Sequence, residues 1–180
     1  MPSFLEKCFA FLLTNGKDKE GIFRISGDLV ELKDLKTKID ATNDVYLSDT
    51  TSPYVVANVI TNFFRNIPGH VLMDSRADDW MGVNSPADAK SNYSRLPLIN
   101  RAVLSRLIGF LTVIKKNSDR NKMDSKALSI AISPSLVDKP ESKEFRLPIQ
   151  VIEIMIDNYN QIFGEMPALS PAGDFLSEED

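Results

Sequence analysis

Residues 20 to 28 read EGIFRISGD, and at their centre stands Arg24, a permanent cation among Ile22, Phe23 and Ile25. A guanidinium carries five N–H donors in one plane and matches carboxylate or phosphate oxygens two at a time. Its chemistry is anion recognition. Three arrangements fit the local residues. Arg24 could pair inward with Glu20 or Asp28 and hold a loop in shape. It could lie on the surface with its stem over apolar neighbours. It could also be held outward on a stiff loop, ready for an anion that belongs to another molecule. Residue types and spacing leave all three open.

Other chemistry-bearing residues read as bland. The single histidine, His70, follows Pro68-Gly69 and is expected to be a surface turn residue. Cys8 falls on the apolar face of a helical pattern, which favours a buried structural thiol over a nucleophile. The stretch NSDRNKMD from Asn117 faintly echoes a calcium loop, but it lacks the glycine at the sixth position and the acid at the twelfth. It reads as a polar interhelical loop, and no metal site is expected. The eight glycines are scattered and form no phosphate cradle. The chain is therefore not expected to bind a nucleotide or other cofactor by itself.

The elements that must position Arg24 are helical. Phe4, Leu5, Cys8, Phe9, Phe11, Leu12 and Leu13 recur at helical spacing, and Asn15-Gly16 offers a left-handed stop. After the polar loop KDKE and the arginine stretch, Asp28 and Glu31 have capping-box spacing. Behind them, Leu29, Leu32, Leu35 and Ile39 mark a second helix to about Asp40. Ser52-Pro53 starts a third, whose apolar face runs from Val55 to Phe64 and stops by Ile67-Pro68. Residues 69–94 are weakly patterned, with a helical turn at Asp78–Met81 and a short helix at Pro86–Ser94. The strongest helix signal spans Leu98 to Lys116. Asp124 can cap the short helix KALSIAIS, ended by Pro134. A last helix is expected from Pro148 to Phe163. No alternating strand pattern occurs, so the expected fold class is all-α, a multi-helix bundle. Residues 1–164 read as one domain and 165–180 as an acidic, disordered tail.

Bulk properties narrow the function. A formal net charge of −4 with no basic half disfavours nonspecific nucleic-acid binding. No apolar run approaches the roughly 20 residues that span a bilayer. One cysteine excludes an internal disulfide and fits a reducing compartment. The expectation is a cytoplasmic, monomeric protein.

Several ordered motifs carry a resemblance. MPSFLEKCFAFLLTNGKDKEGIFR, LKDLKTKID, VVANVITNFFRNIP, LPLINRAVLSRLIGFLTVI and NKMDSKALSIAISPSLV occur in the order and character of the RhoGAP domain family, activators of Rho-type small GTPases. The match runs from about Pro2 to Phe163. The resemblance places Arg24 at the family's arginine finger, within a loop anchored through Ile22, Phe23 and Ile25 and bracketed by Gly21 and Gly27, whose conformational freedom would permit its sharp entry and exit. Arg65 falls on the second arginine, which in the family steadies the finger loop and the interface. Asn100 and Arg101 fall on the NR pair of the long helix. Asn121, Lys122 and Met123 fall on the NKM turn, and Pro134 on the proline ending the short helix. Scaffold roles are the simplest reading of these last six, and the resemblance also makes Asn100, Lys122 and Pro134 candidates, with Gly21, Phe23, Gly27 and Arg65, for supporting the finger loop and binding the GTPase.

The sequence also departs from the family pattern. Thr61 stands where lysine is usual, Ala127 where asparagine is usual, and Ser133 where glycine is usual. The first two are expected to weaken binding, narrow the partner range or slow catalysis.

What the resemblance implies is a GTPase activator that is not an enzyme in its own right. Its partner would be a GTP-bound Rho/Rac-type GTPase that supplies GTP, Mg2+ and the water-positioning glutamine. The alternative is a noncatalytic GTPase-binding module of the same fold.

Overall fold

The computed structural model describes residues 1–143 and 145–167, all of whose regular elements are helical. The acidic tail expected at 165–180 lies, from residue 168 onward, outside them.

Helix α1 (Ser3–Asn15) buries Phe4, Leu5, Cys8, Phe9, Phe11, Leu12 and Leu13. A helix apolar on nearly every side must be covered, and α1 packs against α3 and α6. Burial pushes the Cys8 thiol up to about 12. The stop at Gly16 differs from expectation. Its backbone is right-handed, with φ −120°, and its N–H reaches Leu12 O at 2.9 Å. A Cβ there would sit 2.6 Å from the Leu12 Cδ2, so a larger residue would have to displace that buried side chain.

Helix α2 (Leu29–Thr42) is capped by Asp28, whose Oδ1 accepts from Val30 N and Glu31 N at 2.9 Å each. Only half the expected capping box forms. Glu31 sends its carboxylate to Ser52 N at 3.1 Å, tying α2 to the start of α3 (Pro53–Arg65). The apolar stripe is narrower than expected, because Leu29 is 74% exposed while Leu35 and Ile39 are buried. Helix α3 packs against both α1 and α2 and buries Val55, Val56, Val59, Ile60 and Phe64.

The weakly patterned region folds into a 3-10 turn (Asp74–Arg76), α4 (Ala77–Met81) and α5 (Pro86–Ser94). It is held by Trp80, fully buried, whose indole N–H donates to Leu72 O at 2.9 Å. His70 is not the bland surface residue expected. Its Nδ1 lies 2.9 Å from Asp74 Oδ1, and that oxygen also accepts Asp138 N at 2.7 Å.

Helix α6 (Leu98–Lys115) packs on α1. Phe110 stacks on Phe9 with ring centroids 4.5 Å apart. Arg106 adds an ion pair to Glu6, with Nε 3.0 Å from Oε1. The expected polar loop after α6 instead winds one turn, α7 (Ser118–Asn121). Helix α8 (Ser125–Ile132) takes its cap from Asp124, which accepts Ala127 N at 2.8 Å. It passes into a 3-10 turn (Ser133–Ser135) that contains Pro134.

The last helix is two, α9 (Ile149–Asp157) and α10 (Tyr159–Phe163), parted at Asn158 with φ −122° and ψ 36°. The break re-aims Tyr159. Its hydroxyl donates to Ser105 O at 3.2 Å, and its ring fills the space a side chain at Gly109 would take. Apolar periodicity alone continues through this kink, which is why the sequence suggests one helix.

Candidate functional site

The loop between α1 and α2 is built from main-chain hydrogen bonds. Lys19 N donates to Gly16 O and Ile22 N to Lys19 O. Arg24 N and Ile25 N both donate to Gly21 O at 2.8 Å. This tight double turn requires left-handed backbone at two positions, Gly21 (φ 70°) and Phe23 (φ 71°). Glycine adopts that region freely, whereas a bulky aromatic does so only when its surroundings force it. Here they do. Phe23 is buried, with its ring edge-on to Phe110 at 5.9 Å. Ile22 is fully buried beside it.

Two expectations about the loop need correction. Ile25 is 45% exposed and is not an anchor. Gly27 has no positive φ, so it does not supply conformational freedom; it supplies closeness. A Cβ there would lie 2.5 Å from Val55 N and 2.7 Å from Val55 Cα, so only glycine lets the loop press onto α3.

Between buried Phe23 and exposed Ile25, Arg24 is exposed, and among the described residues its guanidinium has no ion-pair or hydrogen-bond partner. Asp28, one of its two candidate inward partners, is committed to the N–H groups of α2. A Gly21 Cβ would lie 2.6 Å from Ile25 Cδ1 and 3.3 Å from Arg24 Nη2, so the glycine that makes the turn also leaves room for these two side chains, Ile25 above all.

Asn121 staples the loop from the other side. Fully buried, it donates from Nδ2 to Lys17 O (2.7 Å) and Ile114 O (2.9 Å) and accepts Met123 N at 2.8 Å. Its main-chain carbonyl accepts Gly21 N at 2.8 Å. One residue from α7 thus joins the end of α6, the polar loop and the arginine loop. A buried amide with both ends satisfied is rigid, and its loss would strand several main-chain groups.

Helix α3 forms the opposite wall. A groove beside the loop is lined by Phe23, Ser26, Asn58, Thr61, Arg65 and Ala131. Arg65 is exposed, with Nη2 3.5 Å from Ser135 Oγ. Thr61 is buried, and its hydroxyl donates back to Asn58 O at 3.1 Å. It presents no cation to the groove. Two side chains in this wall do not stand out in the sequence. Tyr54 OH donates to Glu20 O at 2.9 Å, and Asn58 Oδ1 accepts Gly27 N at 2.7 Å. Their only sequence signal is a polar pair four residues apart inside an apolar helix.

The remaining candidates are dispersed. Lys122 is exposed, with φ 59°, and its ammonium donates to Asp119 O. Ala127 is half-buried and serves α8 through its N–H. Ser133 is buried, with its hydroxyl bonded to Ser129 O. Asn100 does not line the groove. It donates to Val71 O at 2.9 Å, while Leu72 N reaches Leu136 O, so it braces the chain under the exposed Pro134 turn. Arg101, half-buried, accepts Tyr93 OH through its carbonyl at 3.4 Å. Among the described residues, no three His, Cys, Asp or Glu side chains group to hold a metal, and no helix is long and apolar enough to cross a membrane.

A family model for the RhoGAP domain matches residues 2–141. Human Rho GTPase-activating protein 20 is 31% identical over 169 residues, covering 86% of this chain and 14% of that protein. The Dictyostelium discoideum Rho GTPase-activating protein gacY is 28% identical over 177 residues, 91% of this chain and 24% of its own length. The crystal structure of human Rho GTPase activating protein 15 superposes with a TM-score of 0.78 at 26% identity, covering 91% of this chain and 84% of that one. The chain thus spans about a seventh to a quarter of the length of these curated relatives.

Proposed function

The chain belongs to the RhoGAP domain family, and from that premise we propose that it accelerates GTP hydrolysis by a Rho-type small GTPase, with Arg24 lent in trans. The observation that carries this reading is an exposed arginine, without a partner among the described residues, on a loop tied down at both ends.

Hydrolysis of GTP builds negative charge on the phosphoryl and leaving-group oxygens. A guanidinium placed there stabilises the transition state without moving a proton. Such an arginine contributes about 10³–10⁵ in rate, or roughly 4–7 kcal/mol. Arginine suits the role because its planar fork meets two oxygens at once, whereas a lysine ammonium meets them as a point charge. The loop suits it because Ile22 and Phe23, the residues just before Arg24, sink into the core while Arg24 itself stays exposed. On this reading GTP, Mg2+ and the attacking water all belong to the partner. This chain contributes charge and position, acts as a monomer on the GTP-bound partner, binds no cofactor itself and works in the cytoplasm.

The test is single-turnover hydrolysis with a panel of GTP-loaded Rho, Rac and Ras-type GTPases. At least one Rho-type member should respond to the wild type far more than to Arg24→Ala. Equal stimulation across the panel would refute the reading. The second reading, a noncatalytic binder of the same fold, has one observation in its favour: the buried Thr61 leaves α3 without a cation at that turn. Affinity for a GTP-loaded partner without faster hydrolysis would select it.

A further inference from the structure

Tyr54 and Asn58 stand four residues apart on α3, and therefore about 6 Å apart along its axis and on one face. Tyr54 OH donates to the carbonyl of Glu20 at 2.9 Å. Asn58 Oδ1 accepts the N–H of Gly27 at 2.7 Å. These two main-chain groups flank residues 21–26, the segment that carries Arg24. Each bond therefore fixes backbone at one limb of the loop, and a single rigid helix sets the distance between the limbs. Gly27 closes the arrangement by resting against Val55 on the same helix.

We propose that Tyr54 and Asn58 are positioning residues for Arg24, holding its loop in the transition-state geometry before a partner arrives. The inference rests on Arg24 acting in trans as described above. Neither residue is fully buried, and the core of α3 is made by other side chains, so the grip can be released without dismantling the helix. A loop released at one limb must be ordered again during the reaction. That ordering costs rate at saturation, whereas a role confined to positioning leaves ground-state docking nearly unchanged.

The experiment uses the GTP-loaded GTPase that responds best in the panel, with single-turnover rates measured over a range of domain concentrations. Tyr54→Phe, which removes one oxygen atom, and Asn58→Ala should each lower the saturating rate about five- to tenfold, the effect of one main-chain hydrogen bond. The half-saturating concentration should move less than twofold, and thermal melts should show both variants folded. Asn58→Asp keeps an acceptor for Gly27 N–H and should recover most of the rate. In an Arg24→Ala background, Asn58→Ala should have no further effect, because it acts only through the arginine.

The positioning roles are overturned if Tyr54→Phe and Asn58→Ala match the wild type at saturation. They are equally overturned if the loss lies in half-saturation alone, if Asn58→Asp is as impaired as Asn58→Ala, or if the Asn58→Ala effect persists without Arg24. Failure of the premise is distinguishable, since Arg24→Ala would then either stimulate as well as the wild type or lose rate and affinity in parallel.

Discussion

Arg24 is exposed with no partner among the described residues, and it owes that position to its neighbours. Phe23 spends backbone strain, of order 1–3 kcal/mol, to put its ring in the core. The next residue is thereby turned outward. That strain was not legible in the sequence, where phenylalanine gives no hint of a positive φ. The cation itself was legible, because a charge amid Ile22, Phe23 and Ile25 needs an explanation. Thr61 and Ala127 were legible as departures only against a family pattern, and the structure adds that Thr61 is buried. A lysine at 61 would have to extend its stem along the groove to bring its charge to water. Thr61→Lys combined with Ala127→Asn should raise stimulated hydrolysis about two- to fivefold or add a partner to the panel, since an exposed charge pair contributes about 0.2–1 kcal/mol. No change in rate or partner range would show these positions to be neutral.

Elements explain what single residues cannot. The helices were legible wherever apolar residues repeated near 3.6, as in α1, α3 and α6. Periodicity failed where tertiary contacts decide: at Asn158, where docking of Tyr159 onto Gly109 splits one apolar pattern into two helices, and at Ser118–Asn121, too short to show a period. Tyr54 and Asn58 carry no local signal for a similar reason, because their partners lie 34 and 31 residues away. Gly27 is the clearest case of a right residue with a wrong reason. Its role is contact between loop and helix, and this gives a test. Gly27→Ala should force the loop off α3 and lower the saturating stimulated rate about tenfold or more, because the new Cβ meets backbone that cannot give way. Gly82→Ala, where nothing lies within 4 Å, is the matched control and should be neutral. Equal activity of the two variants would mean the loop tolerates displacement.

The whole molecule is a helical frame in which α3 and α7 grip the loop. Asn121 links these parts through four hydrogen bonds, and Cys8 lies in the centre of the frame. Burial keeps the Cys8 thiol protonated up to about 12, so the folded protein holds a proton that the unfolded chain gives up at the ordinary thiol value. Cys8 therefore lowers stability progressively as pH rises from that ordinary value toward about 12, and has no such effect below it. In native buffer at about pH 8, near the ordinary thiol value, a thiol-alkylating reagent should leave Cys8 unmodified until denaturant unfolds the frame. Modification at the rate of a free thiol would mean the core opens locally. If Arg24 acts in trans, the purpose of this rigidity is to present one cation to another protein's nucleotide. The most direct measurement is the saturating single-turnover rate and the partner affinity of Arg24→Ala and Arg24→Lys beside the wild type. Action in trans predicts a loss of about 10³ or more in rate for Arg24→Ala, poor rescue by Arg24→Lys, and affinity for the GTP-loaded partner within a few-fold of wild type. A parallel fall in rate and affinity would contradict it, and would make Arg24 an ordinary interface contact.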